Sequence, residues 1–135
     1  MAVKVFSIEE ANSLIPLIEK GIRFLVKSSR AVRKLQDQVS VLSVIGAEDE
    51  KSTEHEENSA KKRRLAKLIG RHNRKVDELQ GYGCIIKDLR RGLVDFYGVK
   101  DGRLIFLCWK LGEKRVGYWH ELNGGFRGRR PLSEL

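Results

Sequence analysis

A histidine and several acidic residues in the last third of the chain have the types and spacing of an acid–base pair. The segment Tyr118–Leu122 places His120 beside Glu121, and Asp95 lies on an earlier predicted strand. A carboxylate next to an imidazole orients the ring and raises its pKa. His120, Asp95 and Glu121 are therefore the candidate catalytic residues. The alternative is a structural histidine whose ring bonds a backbone carbonyl, since such groups are also common in structural networks.

These residues do not form a recognisable metal-binding motif. His120 opens a His-Glu-Leu-Asn-Gly segment, in which Gly124 stands where the zinc-binding His-Glu-x-x-His helix has its second histidine. The other two histidines of the chain lie far away in the sequence. We therefore expect no metal and no cofactor. The remaining alternative is a metal site that joins His120 to Asp95 or Glu113.

The same part of the chain combines aromatic and cationic residues that suit a small anionic ligand. Tryptophan offers flat contact area, and arginine offers a fork of donors that matches carboxylate or phosphate. The glycine-rich segment 124–130 would let backbone amides approach an anion, unless its arginines instead pair with acidic residues of the first helix. The predicted ligand-binding residues are Trp109, Glu113, Trp119, His120 and Arg129.

The net charge of +9 suggests a polyanionic partner. Basic residues follow one arc of each predicted helix, away from the apolar face. Such a stripe would bind a phosphate backbone with strong salt dependence, although a solvated surface is the other interpretation. The residues predicted for nucleic-acid binding are Arg64, Lys67, Arg71, Arg74 and Lys75.

The first part of the chain reads as two helices. Ser7 and Glu10 form a capping box, after which apolar residues recur at three- and four-residue steps. We predict a first helix of roughly 35 residues, in which Pro16 should cause a kink or a short break near Ile15. An acidic, mobile loop at 46–57 and a second helix from Asn58 to Gly81 should follow.

The second part of the chain predicts a small antiparallel sheet. Asp101-Gly102 is a strong hairpin signal because both positions tolerate positive φ. The last ten residues are expected to form a loop. The predicted strands are Leu93–Tyr97, Arg103–Trp109 and Val116–Leu122, with a shorter one within 81–86.

These elements predict an α+β fold, in which a long N-terminal helical hairpin packs against a small antiparallel β-meander. At 135 residues the chain is expected to be a single domain, with the hairpin in 1–80 and the sheet and C-terminal loop in 81–135. It has no membrane-spanning apolar run, no signal-peptide pattern and two isolated cysteines, which favours a cytoplasmic location. The length of the first helix favours a homodimer through the helical hairpin.

Several short strings carry a family resemblance. They are GLVDF at 92–96, LCWKLGE at 107–113, YWHEL at 118–122 and GFRGR at 125–129, with Phe6–Asn12, Pro16 and Lys87–Leu89 as further matches. In these strings the chain resembles, nearly end to end, the bacterial family known as domain of unknown function 2203. The resemblance implies a shared fold and a prokaryotic-type origin. It implies no catalytic residue, because that family has no established activity, and it gives no support to the acidic loop or the basic second helix.

Taken together, the residues favour a non-enzymatic ligand-binding or regulatory interaction module with an aromatic and cationic site for a small anion. One alternative is a nucleic-acid-binding protein that uses the basic stripes on both helices. Another is a small hydrolase or lyase with His120 as general base.

Overall fold

The computed structural model describes residues 3–44 and 53–135 and has two helices and a five-stranded antiparallel sheet. The helices are α1 (Ile8–Val44) and α2 (Thr53–Gln80). The strands are β1 (Ile85–Asp88), β2 (Leu93–Lys100), β3 (Arg103–Lys110), β4 (Tyr118–His120) and β5 (Arg130–Pro131). The predicted α+β fold is confirmed.

The capping box at the start of α1 forms as predicted. The Ser7 amide donates to Glu10 Oε1 at 2.9 Å, and the Glu10 amide donates to Ser7 Oγ at 3.1 Å. The bond from the Ser7 amide, reinforced by the Ser7 hydroxyl, lowers the pKa of Glu10. Two of the orphan amide donors at this helix end are thereby satisfied.

Helix α1 runs for 37 residues and is not interrupted at Pro16. The predicted short break is therefore wrong, and its alternative, a kink, stays a prediction. Proline removes one backbone hydrogen bond from a helix interior. On either side of it, however, Ile15 and Ile18 are buried in the core. Tertiary packing of this apolar face therefore holds the helix continuous.

Helix α2 begins at Thr53, earlier than predicted. The predicted acidic loop is wrong over 53–57, which are helical, and its residues 46–52 lie outside the described part of the chain. Asn58 is not an N-cap, because it lies within α2, is buried, and places its Nδ2 3.5 Å from Ser43 Oγ. Acidic residues at the start of a helix are favoured by the helix dipole, and this explains how so charged a segment joins α2.

The order of the strands in the sheet is β1-β2-β3-β4-β5, and each neighbouring pair is antiparallel. The predicted hairpin between β2 and β3 is confirmed, with Lys100 paired to Arg103. Asp101 and Gly102 have φ angles of 51° and 75°, as a tight turn with positive φ at both central positions requires.

The last ten residues do not form a plain loop, so that prediction is wrong. They contain short 3₁₀ turns at Phe126–Gly128 and Leu132–Glu134, and β5 lies between these turns. Arg130 pairs with Trp119, and the Leu132 amide donates to the Gly117 carbonyl at 2.9 Å. A strand of two residues is too short for an alternating pattern to reveal it.

The chain separates into two compact units, Met1–Val26 with Val76–Leu135, and Lys27–Lys75. The first unit contains the sheet and the hydrophobic core, and the second contains the central stretches of α1 and α2. In the second unit, His72 Nδ1 lies 2.9 Å from Ser28 Oγ across the two helices. The single domain stays a prediction.

Candidate functional site

The sheet has two faces of different character. Strand side chains alternate, and the register pairs Asp95 with Cys108 and Phe106 with His120. Asp95, Cys108 and His120 therefore share one face. The other face is apolar and packs in the core with residues of α1, and its members are Val94, Phe96, Ile105, Leu107, Trp109 and Trp119.

Asp95 and His120 form a buried pair on the polar face of the sheet. His120 Nε2 lies 3.1 Å from Asp95 Oδ2, and His120 Nδ1 lies 2.7 Å from the Glu121 carbonyl oxygen. The two residues are only 2% and 3% exposed, respectively. Of the carboxylates considered as partners of His120, Asp95 is the one that lies within hydrogen-bond distance of the ring.

The hydrogen bonds of His120 locate its protons. A backbone carbonyl only accepts, so Nδ1 carries a proton. Nε2 and Asp95 Oδ2 must then share one proton, because two lone pairs would repel at this distance. Burial alone would lower the pKa of His120, but its hydrogen bonds to Asp95 and to the Glu121 backbone outweigh burial and raise it. The ring therefore presents no free lone pair to a substrate.

Cys108 is the third member of this cluster. Its Sγ, a carboxylate oxygen of Asp95 and a ring nitrogen of His120 all lie within 4.8 Å of one another. Burial and the neighbouring Asp95 carboxylate raise the pKa of Cys108 to about 12. Cys84, the other free thiol, lies in the hydrophobic core and bonds the Leu79 carbonyl oxygen at 3.2 Å. Neither thiol is a ready nucleophile at neutral pH.

The cluster forms part of the wall of a cavity of about 220 Å³. Cationic side chains come from Lys87 and Arg91, and Phe126 adds an aromatic ring. The complete lining is Lys87, Asp88, Arg91, Leu93, Asp95, Cys108, His120, Leu122, Gly125 and Phe126.

Positive charge gathers around this cavity. The Lys87 ammonium lies 4.5 Å from the centre of the Phe106 ring, and within residues 3–44 and 53–135 no carboxylate pairs with it. The Arg91 guanidinium lies 5.1 Å from the centre of the Phe126 ring and pairs with Asp88 at 3.2 Å. Lysine and arginine over aromatic faces make cation–π contacts and keep their charge.

Arg129 and Glu113 pair with each other beside the cluster. Arg129 Nη2 donates to Glu113 Oε1 at 2.8 Å, and the guanidinium lies 4.0 Å from the centre of the Tyr118 ring. Burial lowers the pKa of Arg129, but the hydrogen bond and charge of Glu113 together with the neighbouring Cys108 outweigh burial, so the net shift of the pKa is upward. Because this cation is already neutralised, it has less charge to offer a ligand than predicted.

The two tryptophans lie on the opposite face of the sheet from His120. Trp109 and Trp119 are 0% and 1% exposed and belong to the hydrophobic core. Trp109 Nε1 donates to the Glu113 carbonyl at 2.9 Å. Fully buried rings offer no contact area to a ligand, so the aromatic wall that the sequence assigned to them is supplied by Phe126 at the cavity.

Glu121 also lies apart from the cluster. Its carboxylate pairs with Arg103 at 2.6 Å and is partly exposed. The hydrogen bond from Arg103 lowers the pKa of Glu121. The alternation of strand side chains explains this separation, since Glu121 follows His120 directly.

Sequence reasoning missed Lys87, Cys108 and Phe126 as residues of one site. Lys87 and Cys108 stand in the strings that carry the family resemblance, which was the available signal. Their meeting depends on strand pairing, since Lys87 is on β1 and Cys108 is on β3. Phe126 reaches the cavity from a 3₁₀ turn that no pattern predicted.

The predicted nucleic-acid-binding residues of α2 lie mostly on the protein surface. Four of them are exposed and have no carboxylate partner within the described part of the chain: Arg64, Lys67, Arg71 and Arg74. The fifth, Lys75, is half-buried and interacts with another residue. Among the residues placed, neither helix combines the length and apolar character needed to cross a membrane.

Two helices and a small antiparallel meander, whose polar face carries a buried Asp-Cys-His cluster, define an α+β protein. The chain belongs to the family described as uncharacterized conserved protein (DUF2203), whose model matches residues 4–132. No curated protein and no solved structure matches it.

Proposed function

We propose that this protein is a binding module that takes a small anionic group, a carboxylate or a phosphate, in the cavity beside Asp95 and His120. The observation that carries the proposal is the pair of cations, Lys87 and Arg91, on a cavity of about 220 Å³. Pockets for drug-sized ligands have volumes of about 300–1,000 Å³, so a smaller group suits this cavity.

The charges favour an anion at the cavity rim. Lys87 has no carboxylate partner in the described residues, and the carboxylate paired with Arg91 is already shared, because Asp88 Oδ1 also accepts from the Arg90 amide at 2.9 Å. Hydrogen bonds from charged donors are about twice as strong as neutral ones. The hydrolase or lyase alternative has less support, because both ring nitrogens of His120 are engaged.

Replacement of Arg91 by glutamine is expected to weaken the binding of inorganic phosphate and acetate about tenfold, since a charged hydrogen bond contributes about 1.5–3 kcal/mol. Amide NMR titrations in chelator-containing buffer would measure the affinities. The matched control is Arg90→Gln, which removes the same charge from the next residue, outside the cavity lining. Equal affinities for the two variants, or shifts that map away from Lys87, Leu122 and Gly125, would contradict the proposal.

A second candidate function is nucleic-acid binding, which the four exposed and unpaired arginine and lysine side chains of α2 favour. Charge reversal at Arg71 and Arg74 is expected to reduce both the affinity for duplex DNA and its salt dependence, because each phosphate contact adds about 0.9 to the slope. Fluorescence anisotropy over a range of salt concentrations would measure both quantities. Arg91→Gln is the control, and a double reversal that leaves binding unchanged would exclude the stripe.

We propose a cytoplasmic location as well, which two free cysteines support because disulfides form in oxidising compartments. A homodimer through the helices also stays a proposal. On α1, Val41 and Val44 are exposed, which supports it. Leu42, near the same end of α1, is buried and offers no surface to a partner.

A further inference from the structure

We propose that Asp95, Cys108 and His120 bind a divalent transition metal ion, with Zn²⁺ as the best fit. The three residues come from three adjacent strands, β2, β3 and β4, and point to one face of the sheet. All three are buried, and one potential ligand atom from each lies within 4.8 Å of the others.

The imidazole is oriented as a metal ligand would be. His120 Nδ1 donates to the Glu121 carbonyl at 2.7 Å, which leaves Nε2 to face Asp95 and Cys108. In metal sites, the ligating histidine almost always donates its other ring N–H to a carbonyl or carboxylate, which fixes the tautomer. The ion would take the place of the proton that Nε2 shares with Asp95.

An independent observation comes from Asp95. Its Oδ1 is buried and has no hydrogen-bond partner within residues 3–44 and 53–135. A buried carboxylate oxygen without a partner is costly, and a bound cation compensates that cost directly. Because Asp95 also lines the cavity, this unsatisfied oxygen belongs to the same site.

The donor set indicates the kind of ion. Imidazole, thiolate and carboxylate together are typical of Zn²⁺, with bonds of about 2.3 Å to sulfur and about 2.0–2.2 Å to nitrogen and oxygen. Side-chain movements would bring the three ligand atoms, which already lie within 4.8 Å of one another, to these bond lengths. Zinc sites with three protein ligands keep a fourth position open, and here that position would face the cavity.

The charges of the site balance when the ion binds. The cluster without metal holds one proton between His120 and Asp95 and one on the Cys108 thiol. Zn²⁺ replaces both, and the two protons leave to solvent while the thiol becomes a thiolate. The net charge of the buried cluster is therefore unchanged, which avoids the large cost of an uncompensated buried charge.

Cobalt absorption spectroscopy tests the site on the wild-type protein after dialysis against a chelator. Addition of Co²⁺ alone should give one equivalent of a thiolate-to-cobalt charge-transfer band in the near ultraviolet, and Zn²⁺ should displace it. A wild-type spectrum without that band overturns the proposal. This measurement needs no variant, so a folding defect cannot obscure it.

The two cysteines supply a matched pair of variants. Cys108→Ser should abolish the charge-transfer band and weaken Zn²⁺ binding by more than about 100-fold, because loss of a second-shell partner alone costs 10–100-fold. Cys84→Ser removes the other buried thiol and should leave both unchanged. Retention of the band in Cys108→Ser, or its loss in Cys84→Ser, overturns the assignment, with circular dichroism to verify folding.

The metal site and the anion site can fail separately. Zn²⁺ and Co²⁺ are titrated in buffer without phosphate or carboxylates, whereas phosphate and acetate are titrated with a chelator present. Metal binding without anion binding would support the Asp95, Cys108 and His120 cluster as a metal site and would contradict the proposed anion-binding function. The reverse result would remove the metal and retain Lys87 and Arg91 as anion ligands.

Discussion

Asp95→Val is expected to lower the free energy of unfolding of the metal-free protein by about 3–5 kcal/mol. The substitution removes the partner that lies 3.1 Å from His120 Nε2 and leaves a polar ring in a site that is 3% exposed. Removal of one member of a buried pair leaves the other unsatisfied, which costs more than the pair itself contributes. Urea unfolding at neutral pH would measure the change.

Two further variants separate loss of the partner from loss of packing. Asp95→Asn keeps the shape and can donate an amide hydrogen to Nε2, so it is expected to cost only about 1 kcal/mol. The double variant Asp95→Val with His120→Leu should recover most of the stability that Asp95→Val loses, since apolar replacement of a buried pair is often neutral. If Asp95→Val were as stable as the wild type, the two residues would not be coupled.

The same pair predicts a pH dependence of stability. The pKa of His120 is raised in the folded protein above its ordinary value of 6.5. The contribution of His120 to the free energy of unfolding is therefore fully present below about pH 6.5, and it is lost as the pH rises through the pKa of the folded protein. In Asp95→Val burial, the largest influence on the ring, is opposed only by the hydrogen bond to the Glu121 backbone, so the pKa of His120 should fall and the pH dependence should reverse. Unfolding midpoints measured between pH 5 and pH 9 would distinguish the two slopes.

Gly92→Ala is expected to lower the free energy of unfolding by about 3 kcal/mol, from positive φ and overpacking together. Gly92 lies in the turn just before β2 and has a φ of 65°, and an added Cβ would lie 2.6 Å from Leu111 Cβ. This close contact adjoins a backbone hydrogen bond, from the Leu111 amide to the Gly92 carbonyl, at 2.9 Å. Neither residue can move without disturbing β2 or the turn after β3.

Gly102→Ala is the matched control for backbone strain. Gly102 has a φ of 75°, but nothing lies within 4 Å of an added Cβ. The Gly102→Ala variant should therefore lose only the contribution of backbone strain, about 1–2 kcal/mol of the free energy of unfolding. Equal losses for the two variants in urea unfolding would show that the contact with Leu111 contributes nothing.

The local features of this fold were predictable because they depend on neighbouring residues. Ser7 and Glu10 meet within one helical turn, and Asp101-Gly102 closes a hairpin between strands with clear alternation. Alternation of side chains along a strand also explains why His120 and Glu121 lie on opposite faces. Two strong patterns misled the prediction: the charge of 53–57 resembled a loop, and Pro16 suggested a break in α1.

The candidate site was only partly predictable, because it depends on which face of the sheet the helices cover. Trp109 and Trp119 resembled ligand-binding residues, but the core lies on their side of the sheet. Asp95 and His120 meet through register, since Asp95 faces Cys108 and His120 lies diagonally across β3. Neither composition nor spacing carries that information.

The strands of this sheet follow one another in space as they do in the chain. Each pairing joins neighbours in sequence through a short connection, so little loop-closure entropy opposes the assembly of the sheet. Folding rates rise as the separation between contacting residues falls. Asp95, Cys108 and His120 lie on three such consecutive strands, so their meeting should belong to the early, local part of folding. The N-terminal segment also contacts the sheet, where the Phe6 amide donates to the Tyr97 carbonyl oxygen at 2.7 Å. This contact joins residues far apart in the chain, so it should form later.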